Sequence, residues 1–260
     1  MSFDIAFFSF NGHQDLLVPG LKSVIKHTPG FNNIILVWDD YVRDKPIDFD
    51  QIQDQVGHKI TVLKHTDLDP WPEKIGRWGW IKQQLVKLRC YEYSSADYIW
   101  IVDGDVLLTG NPELFMDGKP VLRYDQEIIV NTSTSQYHHF IQKYFGIEDF
   151  IPYTWVGSTC VFDNNICREI WEFCQRRNHK ILTECVDETI SNITDTHLHL
   201  PFSEFELYGS YCKHFHPDKF YMTEKNWNYA PMQKKLDMPI QIMWNAFDQE
   251  TKLSILKGHN

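Results

Sequence analysis

The chain opens on an almost continuous apolar run, Phe3, Ile5, Ala6, Phe7, Phe8 and Phe10, that stops at Asn11-Gly12. A short run without polar alternation predicts a strand buried on both faces. Leu16, Leu17, Leu21, Val24 and Ile25 then recur at helical spacing until Pro29-Gly30 interrupts them. Asn33 to Trp38 and Lys59 to Leu63 read as two further strands, whereas residues 41 to 58 are polar and show no assignable period. From Trp80 a helical stripe of Ile81, Leu85 and Leu88 leads into the strand Asp97 to Val102. Strand and helix alternate through the first 110 or so residues, which predicts a mostly parallel α/β sheet flanked by helices. The second half is less regular. It predicts strands at Pro120 to Tyr124 and Val156 to Phe162, helices at Tyr137 to Phe145 and Asn165 to Arg177, and a shorter helix opening at Ser203. With no internal repeat and no Pro/Gly/Ser-rich linker, residues 1–260 read as one domain, divided near residue 110 into a nucleotide-type half and an acceptor half.

Composition narrows the function class. Hydrophobic residues make up 43% and charged residues 23% of the chain, the balance of a soluble globular protein rather than a disordered one. Thirty-five Asp and Glu against 25 Lys and Arg leave a net charge of -10, which disfavours a non-specific grip on nucleic acid or anionic membrane. A phosphate-bearing ligand must then be met by local cations. No signal peptide and no transmembrane stretch is legible, and the six cysteines form no CxxC pair. These features predict reduced, mostly buried cysteines and a cytoplasmic protein.

The most informative segment is Tyr98-Ile-Trp-Ile-Val-Asp103-Gly104-Asp105. Side chains two apart in extended chain share a face, so Asp103 and Asp105 can converge on one cation, and Gly104 leaves room for a ligand to approach the backbone. Their position after a buried strand is where open α/β sheets bind ligands. Two hard oxygen donors suit Mn²⁺ or Mg²⁺, with the remaining positions left to water and a diphosphate. Gln83 and Lys87, four apart on the preceding helix, suit ribose or phosphate oxygens, and Arg77 in a Gly/Trp-rich loop suits a phosphate clamp.

Three blocks carry a family resemblance: Trp80-Ile-Lys-Gln83-Gln84-Leu-Val-Lys87-Leu, Asp103-Gly104-Asp105, and Pro201-Phe-Ser203-Glu204-Phe-Glu206-Leu-Tyr208-Gly209. With these the chain resembles metal-dependent nucleotide-sugar glycosyltransferases of the GT-A fold, in particular bacterial and viral ones distantly related to family 8. The resemblance implies a Rossmann-like sheet and transfer of a sugar from a nucleoside-diphosphate donor, a UDP-sugar being expected, to a carbohydrate or glycan hydroxyl. It implies that Asp103 and Asp105 hold the metal bridging the donor diphosphate, with Asp105 counted among the catalytic residues. It also implies that Ser9, Phe10, Asn11 and Asp39-Asp40 form the nucleoside pocket. Trp155, Gly157 and Ser158 fall where related enzymes place a small-residue turn near the donor sugar, and Trp155 would stack on a pyranose face.

Ser203 followed three residues on by Glu206 is also a capping box, so Glu206 has a structural reading beside a substrate-binding one. Glu204 is then left as the carboxylate to contact acceptor hydroxyls or act as general base, with Tyr208 one turn along lining the acceptor site. A third metal ligand is expected from the C-terminal region. His216, paired with His214, is the candidate, although the family 8 segment His-Phe-x-Gly-x-x-Lys-Pro-Trp is absent. His138 and His139 read as surface or core histidines. Two rivals share these residues: a haloacid-dehalogenase-like phosphohydrolase with Asp103 as nucleophile and Asp105 as acid/base, and a non-catalytic carbohydrate-binding protein of the same fold.

Overall fold

A computed structural model of the 260-residue chain describes residues 1–10, 14–39, 47–68, 79–125, 132–150, 154–192, 201–225, 227–230 and 240–243. In chain order the elements are β1 (Phe3–Phe10), α1 (Gln14–His27), β2 (Ile34–Asp39), α2 (Phe49–Val56), β3 (Ile60–Lys64), α3 (Gly79–Leu88), β4 (Tyr98–Asp103) and β5 (Val106–Leu108). They continue with β6 (Phe115–Met116), β7 (Lys119–Tyr124), α4 (Thr132–Phe145), β8 (Thr159–Asp163), α5 (Asn164–Asn178), α6 (Leu182–Ser191) and α7 (Glu204–Phe215). The strands β9 (Tyr221–Glu224), β10 (Trp227–Ala230) and β11 (Ile240–Met243) follow. None of the described helices is long and apolar enough to cross a membrane.

The chain forms two compact units, Met1–Pro70 with Trp100–Leu114 and Asn226–Asn260, and Trp71–Ile99 with Phe115–Lys225. In the first, strands follow the order β3-β2-β1-β4. β1 and β2 pair in parallel from Ile5 opposite Ile34 to Phe10 opposite Asp39, and β2 pairs with β3 likewise up to Trp38 opposite Lys64. The carboxyl ends of three strands are thereby brought level. Phe7, Phe8, Leu36, Val37, Ile101 and Val102 are buried, as their unbroken apolar runs require. Gly20 of α1 permits close packing, since a Cβ there would stand 2.8 Å from the Phe7 ring and 3.2 Å from the Val106 carbonyl. β5 turns away into a small sheet of order β10-β11-β5.

In the second unit β8 runs directly into α5. A separate sheet runs β6-β7-β9. Helix α7 packs on α3, α4 and α5, and every residue from Glu204 to Cys212 is buried, so this helix is enclosed rather than amphipathic. Its start is fixed by Ser203, whose hydroxyl accepts the Glu206 amide at 3.3 Å. Helix α5 is capped similarly by Asp163, which accepts the amides of Asn165 at 2.8 Å and Ile166 at 3.2 Å. Five of the six cysteines are buried and all are free thiols.

The structure departs from the sequence reading at definable places. Strand β8 begins at Thr159 rather than Val156, because Val156 spends its amide on the Thr154 hydroxyl at 3.1 Å instead of on a neighbouring strand. Helix α4 starts five residues before the apolar stripe that announces it, across Thr-Ser-Thr-Ser. Helices α2 and α6 and the short strands β5, β6 and β9 to β11 have no counterpart in the sequence reading.

Candidate active site

In the first unit, the level ends of β1 and β2 place Phe10 opposite Asp39. Ser9, one residue earlier on β1, is buried, and its hydroxyl has no hydrogen-bond partner among the described residues. Beyond the end of β3, in a 3₁₀ turn at His65–Asp67, the buried His65 sets its Nδ1 4.0 Å from Asp39 Oδ1. Nothing in the sequence pattern singles out His65; the parallel register of β2 and β3 delivers it. Asn11, Asp40 and Arg77 lie outside the described residues.

Asp103 is the last residue of β4, Gly104 is buried, and Asp105 precedes β5. Both aspartates are half-buried. Carboxylate oxygens are hard donors, and their chemistry suits Mn²⁺ or Mg²⁺. Among the described residues no group of three or more His, Cys, Asp and Glu is gathered as a metal cage. His216 sets its Nε2 3.0 Å from Glu169 Oε2 in the second unit, a partner that orients the ring.

The second unit holds a denser polar cluster around the start of α7. Lys87, expected to meet ribose or phosphate oxygens, is buried and donates to Glu204 Oε1 at 2.7 Å, its ammonium 4.7 Å from the centre of the Phe205 ring. Glu204 also donates its backbone amide to Gln84 Oε1 at 3.1 Å. Gln84, fully buried, is therefore the carboxamide that meets α7, whereas Gln83, named from the sequence, is half-buried on the same helix. The capping geometry alone would leave the Glu204 carboxylate free; it is instead half of a buried ion pair.

Glu206 keeps half of its structural reading. Its amide completes one arm of the capping box, but its carboxylate does not return to Ser203. Oε1 meets His138 Nε2 at 2.9 Å, and Oε2 accepts the Thr154 hydroxyl at 2.6 Å and the Trp155 amide at 2.9 Å. Both oxygens are taken by the chain itself, so Glu206 anchors a loop rather than contacting substrate. His138, read from the sequence as an ordinary histidine, completes that anchor while its ring stacks on Phe150 at 3.9 Å. Burial, reinforced by the charges of Glu204 and Glu206, pushes the Tyr137 hydroxyl up to about 12, so it stays a neutral donor at physiological pH.

Two expected substrate contacts also become core residues. Tyr208 is fully buried, stacks on Phe162 at 4.2 Å and accepts the Asp163 amide at 2.7 Å, and burial holds its hydroxyl well above the usual range. Trp155 is 4% exposed, and its ring lies against the backbone of Gly209 and edge-on to Tyr124 at 6.0 Å, so no face is open to a pyranose. A Cβ at Gly209 would come within 2.2 Å of the indole. Gly209→Ala is accordingly expected to displace the ring and cost about 1–3 kcal/mol, read as a lowered melting temperature that Trp155→Phe partly restores in the double variant. By contrast Val156, Gly157 and Ser158, the next residues of the loop, are half-buried and present small side chains at the surface.

Neither a protein-family model nor a curated protein sequence matches this chain. Solved structures do. An active-site mutant of LgtC superposes with a TM-score of 0.55 at 12% identity, over 98% of this chain and 95% of that one. The apo form of mouse xyloside xylosyltransferase 1 gives 0.54 at 11% identity, over 95% and 98%. The galactosyltransferase LgtC in complex with donor and acceptor sugar analogues gives 0.53 at 12%, over 98% and 93%. At these identities the likeness establishes the fold: an α/β fold of the GT-A glycosyltransferase type.

Proposed function

We propose that this protein is a metal-dependent glycosyltransferase that moves a sugar from a nucleoside-diphosphate donor, a UDP-sugar in the first instance, to a hydroxyl of a carbohydrate or glycan. One observation carries the reading: Asp103 and Asp105 leave the end of β4 as a half-buried pair of hard oxygen donors, within a fold shared along nearly its whole length with sugar transferases. The two aspartates would hold Mn²⁺ or Mg²⁺, which when bound supplies charge to offset that developing on the diphosphate leaving group. Ser9, Phe10, Asn11 and Asp39, with His65 added from the structure, would form the nucleoside side of the first unit. In the second, Gln83, Lys87 and Arg77 would supply donor-phosphate or ribose contacts. Glu204 would meet the acceptor as base or orienting carboxylate, and Gly157 and Ser158 would border the sugar. Because Lys87 and Glu204 are paired at 2.7 Å, we read them as one functional unit rather than two independent groups.

The phosphohydrolase rival requires its aspartates on the first core strand; here they follow the fourth strand of the chain, in a fold of another type. Six free thiols suit a reducing compartment, and on that ground we place the protein in the cytoplasm.

The test is a thermal-shift panel of nucleoside diphosphates and their sugars, with and without Mn²⁺, followed by assay of nucleotide release. Saturating donor should stabilise by about 2–3 kcal/mol at a hundredfold excess over Kd, worth several degrees, and only with the metal present. Stabilisation by no nucleotide under either condition would sink the proposal. Binding without release of nucleoside diphosphate toward any acceptor would indicate a sugar-binding protein instead.

A further inference from the structure

The loop from Thr154 to Ser158 is fastened from several directions, and one fastening comes from a residue that no motif singles out. Strands β7 and β9 pair in parallel up to Tyr124 opposite Glu224, so the next residues, Asp125 and Lys225, leave the sheet side by side. Asp125 exchanges both backbone hydrogen bonds with Thr154, at 2.9 and 3.2 Å. Glu206 takes the Thr154 hydroxyl and the Trp155 amide on the same carboxylate oxygen. The ring of Trp155 is seated on Gly209. These bonds hold the first half of the loop. The carbonyl of Val156 is gripped by the ammonium of Lys225, whose side chain is 5% exposed and stands 3.5 Å from Asp125 Oδ2. Beyond that carbonyl the chain presents Gly157 and Ser158, half-buried, with nothing larger than a hydroxymethyl group.

An ammonium loses hydration when buried, and it stays buried only where its donors meet acceptors. Burial pulls the Lys225 amine down to about 8, against the opposing pull of Asp125, Glu206 and Cys160. A lysine kept there at such a cost, on the carbonyl that precedes two small surface residues, fixes the plane of the Val156–Gly157 peptide. We propose that Lys225 is a positioning residue for the transferred sugar: by holding the Val156 carbonyl it sets the orientation of the Gly157–Ser158 shelf against which the donor's sugar ring rests. The inference rests on the glycosyltransferase reading for its ligand and on the geometry above for its mechanism.

Lys225→Met keeps the length of the stem and removes the grip, and Lys225→Gln, too short to reach, serves the same comparison should the Met variant not fold. Amide hydrogen exchange is measured for Val156, Gly157 and Ser158 in the folded variant, together with steady-state constants for donor sugar and inhibition by the matching nucleoside diphosphate without its sugar. Protection of the three amides should fall about tenfold. The kcat/KM for the donor should fall 10- to 100-fold, in line with the cost of misplacing a reacting group by about 1 Å. Inhibition by the sugar-free nucleotide should stay within twofold of the wild type, and Lys225→Arg should recover part of the loss. Unchanged exchange in a folded variant would overturn the proposal, and so would an equal loss of affinity for the sugar-free nucleotide, which would mark general disruption. If the wild-type protein transfers no sugar, the functional reading fails, and the exchange comparison still decides whether Lys225 holds the shelf.

Discussion

Asp103→Asn is expected to abolish Mn²⁺-dependent donor binding while leaving the melting temperature of the ligand-free protein within about 2 °C of the wild type. The substitution is nearly isosteric and the residue is half-buried at the end of β4, so packing is retained while a negative oxygen donor becomes a neutral one. Hard divalent cations depend on that charge. Since loss of an outer-shell partner of a metal already costs about 10–100-fold in affinity, loss of a direct ligand should exceed that range. Asp105→Asn should behave alike, because both aspartates are half-buried on either side of Gly104 at the turn from β4 into β5. Asp117→Asn is the matched control: it also exchanges carboxylate for carboxamide, at an exposed turn residue with φ of 51°, a conformation that Asn tolerates well. The comparison is made by thermal shift against donor at rising Mn²⁺. Metal-dependent stabilisation that survives in both Asp103→Asn and Asp105→Asn would remove the central claim about this site, whatever the fold.

What the sequence makes legible is what local pattern dictates. The strands β1, β2 and β4 announce themselves because each is buried on both faces and therefore lacks alternation, whereas β3, with only Ile60 buried, shows as a short apolar run at the sheet edge; the strand ends set where Asp103, Asp105, Ser9 and Asp39 stand. Helix α2 escapes because it is short and none of its eight residues is buried; its signals are an Asp48 cap on the Gln51 amide, a left-handed Gly57 and a thin apolar stripe of Phe49, Ile52 and Val56 set in an otherwise polar segment. The cluster in the second unit escapes for a different reason. A lysine at i+4 from a glutamine reads as a pair facing a ligand, and only the packing of α7 against α3 makes Lys87 a buried partner for a residue 117 positions away. Glu206 shows the limit of a motif: the capping-box spacing correctly locates the helix start, yet the carboxylate finds better partners in Thr154, Trp155 and His138, none of them near it in the chain. Lys225 and Asp125 lie outside every block that suggests a family, and they become neighbours only through the parallel register of β7 and β9.

The largest stability effects should come from the Lys87 and Glu204 pair. Each side chain is 3% exposed, and the 2.7 Å hydrogen bond joins two full charges away from water. Removing one partner leaves the other charged in a site built for a pair, at a cost of about 3–5 kcal/mol. Lys87→Met and Glu204→Gln should therefore each lower the melting temperature by roughly 10 °C, on a scale of about 2–4 °C per kcal/mol for a chain of this size. The double variant Lys87→Met/Glu204→Gln should lose less than the sum, because neither substituted side chain carries a charge and the methionine stem still packs on Phe205. Chemical unfolding of the four proteins closes the cycle, and strict additivity would mean that the pair contributes nothing as a pair. Turnover separates this from a purely structural role. If the pair were only a core element, the double variant would regain activity along with stability; if Glu204 serves the acceptor and Lys87 the donor, stability returns and turnover does not. A folded double variant with wild-type turnover would move both residues out of the active site and leave the metal-binding aspartates to carry the function without them.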